Sequence, residues 1–122
     1  MVVGAPKTRT VVDAMNYAVL SSDRSATYSF YAPLTCAVWQ ARGYTPLLLL
    51  VGTEEDWKAD HRANLIVKQC RFRGARVEFL DEYYGHRAAT IAQVSRLFAS
   101  RLVERDNYLL TSDIDMWPVG DW

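Results

Sequence analysis

Short apolar runs alternate with longer amphipathic stretches along this chain, and that alternation restricts its fold more than any other feature. Residues 17–20 (Tyr-Ala-Val-Leu) form an apolar run closed by Ser21-Ser22-Asp23-Arg24-Ser25, the pattern of a strand followed by a loop. The spacing predicts a helix over 28–42, with Pro33 in its first turn and Gly43 just past its end. Residues 47–51 are unbroken aliphatic, as expected of a strand covered on both faces, and Gly52 ends them. An acidic start, Thr53-Glu54-Glu55-Asp56, leads into a second helical stretch reaching Arg73. Its Ala59, Ala63, Ile66, Val67 and Cys70 recur at three- and four-residue spacing as one buried stripe, and Gly74 caps it. Val77, Phe79 and Leu80 mark a third strand. A third helix over 88–103 places Ile91, Val94, Phe98 and Leu102 on one face. Tyr108-Leu109-Leu110 is a fourth strand that runs into Thr111-Ser112-Asp113-Ile114-Asp115.

The order is strand–helix–strand–helix–strand–helix–strand, and each helix is long enough to cross between parallel strands with the usual right-handed connection. The expected fold is α/β: a three-layer, Rossmann-like sandwich around a mostly parallel sheet. With 122 residues and no internal repeat or linker, the chain is expected to form one domain over 1–122. Half the residues are hydrophobic and 23% are charged, which excludes a disordered or low-complexity chain. Fourteen Lys and Arg offset fourteen Asp and Glu, so no global positive field draws the chain to nucleic acid. The longest strictly apolar run, 46–51, is far short of the ~20 residues a membrane helix needs. Residues 1–10 carry Lys7 and Arg9 with no signal-like apolar stretch after them. Cys36 and Cys70 are too few for a disulfide framework and are expected to be small buried thiols. The sequence stops seven residues after Asp115, where Pro118 and Gly120 suggest a turn and Val119 the start of a further element. The expectation is a fragment of a longer fold.

In an open parallel sheet, ligands bind beyond the carboxyl ends of the strands, where strand order reverses. The commonest winding of four such units sets the first and fourth strands side by side. The loop over 21–25 and the Asp113-Ile114-Asp115 tip would then open onto one crevice. Asp-x-Asp alone is a weak pattern in a chain with nine aspartates, but its place at a strand tip strengthens it. Carboxylates at i and i+2 of an extended segment point to the same side and repel unless a cation sits between them. Hard ions such as Mg2+ or Mn2+ take one or two carboxylates together with substrate phosphates. The bland alternative is a solvated turn bearing two acids.

These residues, in this order, resemble the N-terminal, nucleotide-binding half of glycosyltransferases with the GT-A fold, the nucleotide-diphospho-sugar transferases, and within it the glycogenin and galactosyltransferase-like group. The quoted features are Ser21-Ser22-Asp23 after the first strand, Tyr28 and Tyr31, the helix to Arg42, the aliphatic strand 47–51, Arg96-Leu97-Phe98 on the helix before the last strand, and Asp113-Ile114-Asp115 after it. The resemblance covers nearly the whole chain but only the first half of a complete enzyme. It implies that Asp113 and Asp115 hold Mn2+ or Mg2+ bridging the phosphates of a UDP-sugar, with Asp113 also touching ribose or sugar hydroxyls. Ser22 and Asp23 would approach uracil and ribose, Tyr28 or Tyr31 would stack on the base, and Arg96 would reach the diphosphate or the sugar. The sugar acceptor stays unknown.

The chain departs from the family pattern at Thr111-Ser112 and at the bulky Ile114 between the acids. Many such enzymes take a third metal ligand, often His, from beyond this sheet. Here His61 and His86 precede the metal strand and read as surface or helix-start positions, so no catalytic residue is assigned. Three alternatives compete. The first is a Mg2+-dependent phosphatase of the haloacid-dehalogenase type, which carries its Asp-x-Asp on the first strand. The second is a receiver- or flavodoxin-like module, which would need a Lys after the fourth strand. The third is a non-catalytic remnant that binds nucleotide.

Overall fold

The computed structural model describes residues 16–82, 87–103 and 107–118. Expectations for residues 1–10, His86, Val119 and Gly120 lie outside these. The elements, in chain order, are β1 (Asn16–Ser22), α1 (Ala26–Ser29), α2 (Ala32–Ala41), β2 (Thr45–Val51), α3 (Glu54–Ala59), α4 (His61–Phe72), β3 (Arg76–Leu80), α5 (Ala88–Ser95), a 3-10 segment (Arg96–Leu102) and β4 (Tyr108–Thr111).

The four strands form one sheet in the order β3-β2-β1-β4, and every pairing is parallel. Strand residues alternate between two apolar layers, as the pleat requires. Ala18, Leu20, Leu48 and Leu50 pack with Ala32, Cys36 and Trp39 of α2, Trp57 of α3, and Ala63, Ile66, Val67 and Cys70 of α4. Tyr17, Val19, Leu47 and Leu49 face the opposite layer, where Ala99 and Leu102 of the 3-10 segment meet them. Val51 packs against Ile91 and Ala92 of α5. The aliphatic 47–51 run is therefore buried on both faces, and the chain is a three-layer α/β, Rossmann-like fold. Cys36 and Cys70 are both fully buried, as expected.

Each predicted helical stretch is interrupted once. The first breaks at Phe30 and Tyr31, and α2 restarts with Pro33 in its first turn. The second breaks at Asp60, whose extended backbone ends α3 while its carboxylate accepts the N–H groups of Arg62 (2.9 Å) and Ala63 (3.5 Å) as the N-cap of α4. That break turns Ala59 outward, so it leaves the predicted buried stripe. The third changes from α to 3-10 at Arg96. Its predicted apolar face is corrected too. Val94 and Phe98 are about half exposed, while the small residue Ala92 is buried beside Ile91 and Ala99 is buried against β1 and β2. Small side chains let this segment lie close on the sheet, and the tighter 3-10 winding turns Phe98 away from it.

Among the described residues, three glycines hold positive φ where helices or strands end: Gly43 (+85°), Gly52 (+115°) and Gly74 (+92°). At Gly52 the chain leaves β2 while its N–H still bonds Leu80 C=O at 2.8 Å. Thr53 and Asp56 then close a reciprocal capping box at the start of α3. Trp57, one turn on, is buried and donates its indole N–H to Val51 C=O at 2.9 Å.

Candidate functional site

The chain winds outward in both directions from the β1–β4 pair, because β2 and β3 lie on one side of β1 and β4 on the other. Two outgoing connections diverge there and leave a gap at the carboxyl end of the sheet. A crevice of about 280 Å3 occupies that gap. It is lined by Ser21, Ser22 and Asp23 after β1, Tyr28 of α1, Ala89, Ala92 and Gln93 of α5, Arg96, and Asp113, Ile114 and Asp115 after β4. Its size is at the small end of ligand clefts, which run to ~300–1,000 Å3.

Each wall has a local cause. Ser22 is the last residue of β1, and its hydroxyl donates to Asp23 C=O at 2.7 Å. Asp23 Oδ1 accepts the N–H of Ser25 at 3.0 Å, an Asx turn that bends the chain into α1. Asp23 thus shapes its loop and lines the crevice at once. On the far wall, the N–H of Ser112 bonds Val19 C=O at 3.1 Å, continuing the β1–β4 ladder by one residue. The chain then turns, and the N–H of Met116 closes onto Asp113 C=O at 3.2 Å. Asp113 and Asp115 therefore sit on a turn and not on the extended segment expected from sequence. The two exposed carboxylates both line the crevice nonetheless, while Ile114 between them is buried in the core.

Arg96 meets this turn from the opposite layer. Its Nη1 donates to Asp113 Oδ1 at 2.8 Å, with the Arg96 side chain only 17% exposed and Asp113 53%. The lining residues carry three carboxylates (Asp23, Asp113, Asp115) against one guanidinium, so the crevice has an excess of negative charge. Among the described residues no group of three or more His, Cys, Asp or Glu side chains is arranged to hold a metal ion. Asp113 and Asp115 present carboxylate oxygens, the donor type that hard divalent cations take. His61, at the exposed start of α4, is not among the lining residues.

Six of the seven residues singled out from sequence thus meet in one crevice: Ser22, Asp23, Tyr28, Arg96, Asp113 and Asp115. Tyr31 stands apart, packed edge-on between Phe30 (5.7 Å) and Trp117 (6.4 Å). Sequence reasoning missed Ala89, Ala92 and Gln93, which form the α5 wall. The alanines at 88, 89 and 92 were the available signal, since small residues in a crossover helix permit close approach. Among the described residues no helix is long and apolar enough to cross a membrane. No family model, curated protein or solved structure matches this chain.

Proposed function

We propose that the crevice between β1 and β4 binds a nucleoside diphosphate sugar, a UDP-sugar first, together with Mn2+ or Mg2+, and that the chain supplies the donor-binding part of a glycosyltransferase. One observation carries this. The parallel order β3-β2-β1-β4 brings the Ser22–Asp23 loop and the Asp113-Ile114-Asp115 turn to the same crevice, with a guanidinium between its layers.

Asp113 and Asp115 would hold the cation, which when bound neutralises charge on the phosphate that departs as the sugar is transferred. Asp113 is paired with Arg96 in the free protein. With a cation held there, the planar Arg96 guanidinium would be free to pair with phosphate oxygens. Arg96 would then contribute positive charge from a largely enclosed position, where electrostatic attraction is less screened than at the surface. Tyr28, about half exposed on the rim, offers a ring face for the base. Ser22 and Asp23 supply polar atoms beside it.

Calorimetric titration of Mn2+ with UDP tests the reading. Saturable binding to the wild-type chain is expected, weakened about tenfold or more in Asp115→Ala, the scale of one lost charged contact. Equal binding by both proteins would overturn it.

A further inference from the structure

We infer that Thr35 is a positioning residue whose hydroxyl fixes where Asp113 and Asp115 stand in the crevice; the ligand part of this inference rests on the proposed function. Thr35 lies on α2, fully buried, on the other side of the turn from Arg96's layer. Its Oγ1 donates to Ile114 C=O at 2.5 Å and accepts the indole N–H of Trp117 at 2.9 Å. One hydroxyl thereby uses its proton on the residue before Asp115 and a lone pair on the residue two positions after it.

The geometry makes this tie unusually direct. Ile114 is gripped twice, by its carbonyl on Thr35 and by its side chain, 5% exposed, in the α2–α4 core. The acids on either side are exposed; Asp113 has Arg96 as a second hold, whereas the direction of Asp115 follows from the backbone of Ile114. Trp117 is held edge-on by Tyr31, which gives the indole donor a fixed approach to Thr35. A further polar contact on this segment from α2's end, Arg42 Nη2 to Pro118 C=O, is 3.5 Å long and correspondingly weak. A hydroxyl at 35 is therefore worth more to the site than its small size suggests, because losing it leaves a buried carbonyl and an indole N–H without their partner.

The test uses the full chain with Thr35→Val, which keeps the shape and removes the hydroxyl, Thr35→Ser, which keeps the hydroxyl, and Trp117→Phe, which removes the indole donor and keeps an aromatic ring. Two readouts are followed: amide exchange at Met116, whose N–H closes the turn, with Ser112 as the strand-side control, and affinity for Mn2+ with UDP. Thr35→Val is expected to speed Met116 exchange and weaken Mn2+–UDP binding, each about tenfold, while Ser112 is unchanged and Thr35→Ser restores both to within about twofold. A purely structural role would lower the melting temperature and leave the affinity of the folded protein unchanged. Unchanged Met116 exchange in folded Thr35→Val, or failure of Thr35→Ser to rescue, overturns the inference. Should Thr35→Val not fold, Trp117→Phe decides: faster exchange at Met116 supports the role and unchanged exchange refutes it. If the wild type binds no Mn2+–UDP yet Thr35→Val still loosens the turn, the nucleotide-sugar reading falls and the positioning role stands.

Discussion

Arg96 and Asp113 meet at 2.8 Å across the crevice, joining the 3-10 segment on one face of the sheet to the turn that follows its edge strand. On the proposed function, a divalent cation would compete with this guanidinium for the same carboxylate. Arg96→Ala is therefore expected to act in opposite directions on two ligands. Affinity for Mn2+ alone rises, because Asp113 loses its internal counter-ion. Affinity for the Mn2+–UDP pair falls about tenfold, because the phosphate contact is gone. Parallel metal-only and metal–nucleotide titrations check this, and both affinities moving together would exclude the exchange of partners.

The start of α3 gives a pH prediction. Asp56 is held below the usual aspartate range, first by the backbone N–H of Thr53 and then by the Thr53 side chain. Glu54 is lowered chiefly by its hydrogen bond from Arg71. A lowered carboxyl stabilises the folded state above its unfolded pKa, and that contribution is lost as pH falls through the folded value. Stability is thus expected to decline on acidification below the ordinary carboxylate range. Asp56→Asn should flatten part of the decline when denaturant midpoints are compared between neutral and acid pH. Thr53→Ala removes the reciprocal cap and is expected to cost about 1 kcal/mol at neutral pH.

A hydrogen bond from the Cys70 S–H to Cys36, and after it burial, pushes the Cys70 thiol up. Both thiols are fully enclosed between α2, α4 and the sheet. Neither is expected to react with an aromatic disulfide reagent in the native protein, and both should react at once in denaturant, since the thiolate is the reactive form. Rapid modification of either under native conditions would contradict the packing described.

Gly52 and Gly43 form a matched pair for measuring crowding. Both have positive φ, but an added Cβ at Gly52 meets Trp57 Nε1 at 3.4 Å and Arg24 Nε at 3.6 Å, whereas at Gly43 nothing lies within 4 Å. Either substitution to Ala costs ~1–2 kcal/mol for the left-handed backbone. The contacts at Gly52 are ordinary van der Waals distances, so both variants should lose similar stability, with melting temperatures lowered by roughly 4–8 °C per kcal/mol. A much lower melting temperature for Gly52→Ala would mean that the space beside Trp57 is tighter than these distances imply.

The strand run 47–51 was legible because five aliphatic residues bounded by Gly52 have few other solutions, and with it came the parallel sheet. Most of the crevice was legible for a topological reason: once β1 and β4 are neighbours, the residues that end them must meet. The helix breaks were not, since Asp60 reads equally well as an interior helix residue until its carboxylate is seen capping α4. The face of α5 misled because periodicity weighs bulk, and Val94 and Phe98 outweigh Ala92 and Ala99 on that scale. Thr35 and Trp117 were invisible for a different reason. Their contact spans 82 positions, and no local pattern encodes a hydrogen bond that distant.

Ile114 puts an oily anchor between two water-facing acids. The aim of the carboxylates is inherited from the protein's interior, so damage far from the mouth of the cleft will be felt there. Trimming Ile114 to alanine should cost melting temperature and ion affinity in a single stroke.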